Sequence, residues 1–195
     1  MKKIDGIIAA IIGFLDGIFL FFILRNIEVD IPYAWSLPIV LAILCWFGMF
    51  VASAIGKKLP ILLQIARFFL VGTLNTFIDL VVLNILIWIF GIAIGLFYSV
   101  FKAISFLGAT INSYFWNKFW TFGKKETVSP KEFFKFLIVT SIGLLINVGI
   151  ASLVVNAIGP QFGLTEKIWA TFGAIVAAFG AFVWNFLGSK FVVFK

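Results

Sequence analysis

Asn117-Lys118-Phe119-Trp120-Thr121-Phe122 and Ser189-Lys190-Phe191-Val192-Val193-Phe194 end two apolar stretches in nearly the same way. The units they close also open alike, with Arg67-Phe68-Phe69-Leu70 in the first and Lys135-Phe136-Leu137 in the second. Twelve residues after each opening cation a polar residue interrupts the apolar run, Asp79 or Asn147. The openings are offset by 68 residues and the closing lysines by 72, so a small insertion separates two copies of one unit. A duplicated polar pattern inside an apolar chain points to a membrane translocator rather than a soluble enzyme.

Composition supports that direction. Of 195 residues, 63% are hydrophobic and 12% charged, too little polar surface to cover a soluble globule. Apolar runs of bilayer-crossing length lie at 7–24, 37–55, 66–90, 96–116, 136–158 and 168–187. An open sheet would leave unpaired edges in lipid, and continuous apolar runs lack the alternation of a barrel strand. The expectation is therefore an all-α integral membrane protein with six transmembrane helices. Asp16 interrupts the first run and Arg25-Asn26-Ile27-Glu28 offers no small-residue cleavage site, so that run reads as a retained helix rather than a signal peptide. Cys45 is the single cysteine, which leaves no disulfide or metal framework within one chain.

Twelve cations fall on one side of these spans: Lys2, Lys3, Lys57, Lys58, Arg67, Lys118, Lys124, Lys125, Lys131, Lys135, Lys190 and Lys195. Arg25, Lys102 and Lys167 lie on or near the other. By the positive-inside rule both termini are cytoplasmic, with outer loops near 25–36, 91–96 and 159–167. The net charge of +7 then follows from topology and from anionic lipid headgroups, without nucleic acid.

Gly56-Lys57-Lys58-Leu59-Pro60 divides the chain into an N-terminal hairpin, 1–58, and a duplicated four-helix domain, 59–195, with repeat one at 64–123 and repeat two at 132–195. Both repeats begin and end on the cytoplasmic side, so they are parallel helical-hairpin repeats related by an axis along the membrane normal. The N-terminal hairpin lacks the Lys-Phe ending and reads as an addition, not a third copy. Residues 123–131 form the polar linker, in which Ser129 and Glu132 have the spacing of a capping box for the fifth helix.

Asn75 and Asp79 are one helical turn apart and share a face. At ~1.5 Å per residue, Asp79 lies about 18 Å from Arg67, past the middle of a ~30 Å hydrocarbon core. A carboxylate there costs at least ~2.5–3.5 kcal/mol on insertion scales, so it faces protein or water and has either a function or a helix-docking role. Lys102, about 24 Å before Lys118, has two options: snorkelling outward or turning in to Asp79. Lys102, Ser105, Ala109, Asn112 and Trp116 make one stripe of the fourth helix. Thr140, Gly143, Asn147 and Ala151 mark the matching face of the fifth, and Thr171, Ala174, Ala178, Ala181, Asn185 and Ser189 that of the sixth. Small residues at such positions serve helix packing, while the amides serve either packing or a path. Arg67, Lys118, Lys135 and Lys190 cap the inner ends of the four repeat helices, as topology alone predicts, and as a phosphate-binding ring would also require. Trp116, Trp120 and Trp184 read as an interfacial belt, with sugar stacking as the other option.

There is no histidine, metal cluster, phosphate loop or nucleophile elbow, so the expectation is a non-enzyme that needs neither metal nor cofactor. The signatures Arg67-Phe-Phe-Leu-Val-Gly72, Asn75 with Asp79, and Asn117-Lys118-Phe-Trp-Thr-Phe122 resemble the GtrA-like family of small four-helix membrane proteins over about residues 64–195. The resemblance implies translocation of a polyprenyl-phosphate-linked sugar from the cytoplasmic to the outer leaflet of the cell membrane, the prokaryotic inner membrane, for cell-surface glycosylation. It implies a substrate-binding set of Arg67, Asn75, Asp79, Lys102, Asn112, Asn117, Lys118, Lys135, Asn147, Asn185 and Lys190. The cations would take the lipid phosphate and the amide and carboxylate stripe the sugar, while the isoprenoid tail stays in lipid. A membrane-associated glycosyltransferase and a second copy of the chain are expected partners. Two departures stand out: the hairpin at 1–58 lies outside the usual family unit, and Ser113 occupies the place of Asn185, with Asn112 displaced by about 100° around the helix. A non-transporting scaffold for a glycosyltransferase and a small exporter of lipophilic cations remain alternatives.

Overall fold

The computed structural model describes residues 2–26, 31–92, 94–163 and 166–195, and the regular structure among them is helical. Six long helices follow one another: α1 Lys3–Asn26, α2 Leu37–Gly56, α3 Pro60–Phe90, α4 Gly95–Trp116, α5 Pro130–Ser152 and α6 Glu166–Gly188. Glu28 and the side chains of Lys167 and Thr171, all named above, lie outside what is described.

Among the described residues, five helical segments are long and apolar enough to cross a bilayer, and together they make this a multi-pass membrane protein. α4, which carries Lys102, Ser105, Asn112 and Ser113, is not one of the five. Its 22 residues still rise about 33 Å, and its polar side chains turn towards α3 rather than outward.

Prolines fix several starts. Pro38, Pro60 and Pro130 sit in the first turn of α2, α3 and α5, where a missing N–H costs nothing and the ring presets φ. Hence α3 and α5 begin at 60 and 130, ahead of the apolar runs that start at 66 and 136. The capping box does not form: Ser129 has the extended backbone of an N-cap, but its side chain caps nothing, and its carbonyl accepts the Phe133 N–H at 3.0 Å. Gly91 ends α3 in the left-handed region at φ 68°, a conformation open to glycine at little cost, and donates its N–H to Ile87 O at 2.8 Å.

The chain divides into two compact units, Met1–Lys124 and Lys125–Lys195, and the division falls in the polar linker. In the first unit the N-terminal hairpin and repeat one share a core: Ala9 and Ile12 from α1, Met49 from α2, Leu70, Val71 and Leu74 from α3, and Trp120. α1 and α2 approach closely at Gly13 and Gly17. A Cβ on Gly13 would strike the Leu41 carbonyl, and one on Gly17 would lie 2.5 Å from Pro38 Cα. Small residues four apart allow this backbone contact, where association depends on dispersion rather than on exclusion of water. In the second unit α5 and α6 meet through Gly143 against Asn185, Gly180 against Ile150 and Gly188 against Val139.

The two Lys-Phe endings share a geometry that periodicity does not encode. Both Asn117–Thr121 and Ser189–Val193 widen into a π-helical turn. Phe122 N–H bonds Asn117 O at 2.9 Å and Phe194 N–H bonds Ser189 O at 2.8 Å, each spanning five residues. The sequence repeat is thus a structural repeat down to the hydrogen-bond register, and π turns of this kind concentrate at functional sites.

Candidate functional site

The polar stripe of repeat one is assembled by α3 and α4 as a ladder with two levels. At the upper level Lys102 Nζ donates to Asp79 Oδ2 and forms an ion pair with it, and Ser105 Oγ donates to Asp79 Oδ1 at 2.6 Å. Lys102 therefore turns inward. One turn nearer Arg67, Asn112 Nδ2 donates to Asn75 Oδ1 at 2.8 Å, and Asn75 Nδ2 donates to Val71 O on its own helix. Asn75 and Asp79, four apart, share one face of α3, and Ser105 and Asn112, seven apart, share one face of antiparallel α4, so the two faces meet in the same order. The pair is not sealed, since Asp79 retains 21% and Lys102 43% of side-chain exposure. A charge-paired, partly accessible group in an apolar bundle offers a hydroxylated solute both a donor and an acceptor.

Repeat two keeps the level of the amides but not the charge. Gly143 stands at the position of Asn75, and a Cβ there would collide with the Asn185 side chain. Asn185 and Asn112 thus address equivalent points on the facing helix although they are one position out of register. The Asn185 Oδ1 is buried with no donor to it. Asn147 replaces Asp79 and is half-buried on α5, while Ala174 and Ala177 replace Lys102 and Ser105.

At the end of unit one that carries Lys2, the Arg67 guanidinium is held from three directions. Nη2 donates to Asp5 Oδ2 at 2.8 Å, Nη1 donates to Trp120 O at 3.1 Å, and the carbon of the guanidinium lies 5.9 Å from the Trp120 ring centre. Trp120 Nε1 donates to the other Asp5 oxygen at 3.0 Å. Asp5 belongs to the N-terminal hairpin and was not among the expected site residues. Its only signal is a carboxylate among cations near the start of an apolar run. Trp120 also differs from the belt expectation, because its indole N–H is spent inside the protein. Trp184 donates its indole N–H to Val139 O at 3.0 Å but keeps its ring exposed.

Lys118 is fully buried in the π turn, with its ammonium 5.8 Å from the Tyr114 ring centre. Lys190 repeats this with Phe186, also at 5.8 Å, and adds Phe191 at 5.6 Å. An aromatic four residues before each lysine is a recurring cation–π device that desolvation strengthens, and Tyr114 and Phe186 were the sequence signal for it. Asn117 is buried beside Lys118 and donates to Ser113 O at 2.9 Å and Ser113 Oγ at 3.2 Å. Lys135 is exposed at the start of α5. Arg67 and Lys118 belong to one compact unit, Lys135 and Lys190 to the other.

No curated protein and no solved structure matches the chain. A family model, described as GtrA/DPMS, transmembrane domain, matches residues 67–194, from the guanidinium just described to the end of the second π turn. The match leaves the α1–α2 hairpin outside, as the repeat boundaries require, and ties the chain to membrane processing of lipid-linked sugars. With more than half of its length covered, including both repeats, the chain belongs to the GtrA/DPMS transmembrane-domain family.

Proposed function

We propose that this protein translocates a polyprenyl-phosphate-linked monosaccharide from the cytoplasmic to the outer leaflet. The observation that carries the reading is the α3–α4 ladder, in which Asp79, Lys102 and Ser105 stand above Asn75 and Asn112. A sugar leaving water needs replacement partners for its hydroxyls, because an unpaired hydroxyl in an apolar medium costs roughly 2–7 kcal/mol. The ladder supplies such partners at successive depths along one helix pair, and the chain's apolar exterior suits an isoprenoid that remains in lipid. Arg67, at one end of the same unit, offers a phosphate charge-assisted hydrogen bonds, whereas Lys118 is fully buried and does not face a ligand. Transport in this reading is downhill, driven by synthesis of the lipid-linked sugar inside and its consumption outside.

The test is reconstitution of the purified protein in liposomes with a short-chain prenyl-phosphoglucose, following its protection in the far leaflet. Protein-dependent flipping that is slowed by Asp79→Asn supports the reading. Retained binding of a glycosyltransferase without flipping would favour a scaffold.

A further inference from the structure

Beneath the Asp5–Arg67 pair lies a cavity of about 540 Å³ lined by Lys2, Asp5, Arg67, Trp116, Trp120 and Gly123, with Phe115, Phe119 and two isoleucines of α1 completing its wall. All of it lies within unit one. We propose that this cavity is a headgroup-binding site for a hexose joined through a phosphodiester to a lipid, built jointly by the N-terminal hairpin and repeat one. The proposal rests on the translocation reading above and adds to it a docking site outside the α3–α4 ladder, for which the α1–α2 hairpin is required.

Charge, donors and shape agree. Two cations, Lys2 and Arg67, face one carboxylate, Asp5, which leaves one positive charge to match the single negative charge of a phosphodiester. Arg67 has five N–H donors; one goes to Asp5, one to Trp120 O, and Nε is buried with no acceptor. The remaining Nη N–H groups, on a side chain that keeps 14% exposure, are the donors open to a ligand oxygen. Both Asp5 oxygens are already engaged, so Asp5 fixes the guanidinium and the Trp120 indole instead of competing for ligand hydroxyls. Trp116 and Trp120 stand edge to face with ring centres 5.8 Å apart, so the cavity wall carries aromatic surface of the kind on which the C–H face of a sugar ring packs. Phe115 and Phe119 stack at 6.2 Å, an apolar flank on which an isoprenoid begins. A volume of this size suits one hexose and its phosphate, within the range of ordinary small-molecule pockets.

The deciding experiment is a calorimetric titration of the full chain in phosphatidylcholine nanodiscs with citronellyl-phosphoglucose, repeated with phosphatidylglycerol and with glucose 1-phosphate. Lys2→Gln and Trp116→Ala avoid the Asp5–Arg67–Trp120 core; each is expected to weaken binding of the prenyl-phosphoglucose about tenfold, roughly 1.4 kcal/mol. Trp116→Phe, which keeps an aromatic face, is expected to lose less than Trp116→Ala. Equal binding of phosphatidylglycerol would overturn the proposal in favour of a general anionic-lipid site, and equal binding of glucose 1-phosphate would overturn it in favour of a soluble phosphosugar. Wild-type titrations in Lys2→Gln and Trp116→Ala would also overturn it. Liposome flipping measured in parallel separates the two claims. Pocket-dependent binding without flipping keeps the site and removes translocation, whereas flipping that depends on Asp79 but ignores Lys2 and Trp116 does the reverse.

Discussion

Asp5 and Arg67, 62 residues apart in the chain, form an ion pair at 2.8 Å in which the carboxylate is 1% and the guanidinium 14% exposed. The contact joins the hairpin that the family match omits to the first residue that it includes. Removing one partner of a buried pair strands the other charge, typically at about 3–5 kcal/mol, although replacing both with apolar groups is often close to neutral. Asp5→Ala is therefore expected to destabilise the protein by about 3 kcal/mol in a detergent unfolding titration. Asp5→Leu combined with Arg67→Met is expected to recover much of that loss; a double variant as unstable as the sum of the singles would contradict a pairwise contact.

The α1–α2 seam gives a second expectation. Gly13→Leu and Gly17→Leu press side chains into the α2 backbone and are expected to cost at least about 1–3 kcal/mol each, read as lowered thermal midpoints. Gly72→Ala on α3 is the control: a Cβ there meets nothing within 4 Å, and alanine is the better helix former by up to about 1 kcal/mol. A midpoint unchanged by Gly13→Leu would show that the helices do not touch there.

In repeat two, Gly143→Ala places its methyl on the Asn185 amide and is expected to lower stability by about 1–3 kcal/mol. Asn185→Ala in the same chain vacates that space and is expected to restore most of it. Additive losses in the double variant, measured by the same thermal scan, would place Asn185 elsewhere.

The π turns predict matched behaviour in the two repeats. Phe186→Leu removes the ring against which the Lys190 ammonium lies and is expected to cost about 0.5–2 kcal/mol, and Phe186→Tyr much less. The check is thermal unfolding with and without Lys190→Met, since the ring effect should shrink once the ammonium is gone.

The sequence made the helices and the repeat legible because both are periodic statements: long apolar runs, and polar residues recurring at fixed offsets within them. It made the polar positions of the Asp79 ladder legible, but left open whether Lys102 snorkels outward or turns in to Asp79, which the ion pair decides. A charge deep in an apolar span needs a partner, and Lys102 stood at a depth from which it could reach. Three features were not legible. The π turns at 117 and 189 alter hydrogen-bond register without altering composition. The Asp5–Arg67–Trp120 cluster joins three distant segments, and nothing local to Asp5 names its partner. The silent side chain of Ser129 shows that capping-box spacing does not secure the bond once proline fixes the start of the helix. Helix ends moved for the same reason, since Pro60 and Pro130 set them and hydropathy does not.

The central claim is that the α3–α4 ladder carries a sugar, and flipping of short-chain prenyl-phosphoglucose into protected leaflets of liposomes tests it most directly. Asp79→Asn and Lys102→Gln, each confirmed as folded, are expected to slow flipping about tenfold or more, corresponding to at least ~1.4 kcal/mol of lost stabilisation along the path. Wild-type rates in both variants would contradict the account and leave Asp79 and Lys102 as a helix-docking pair.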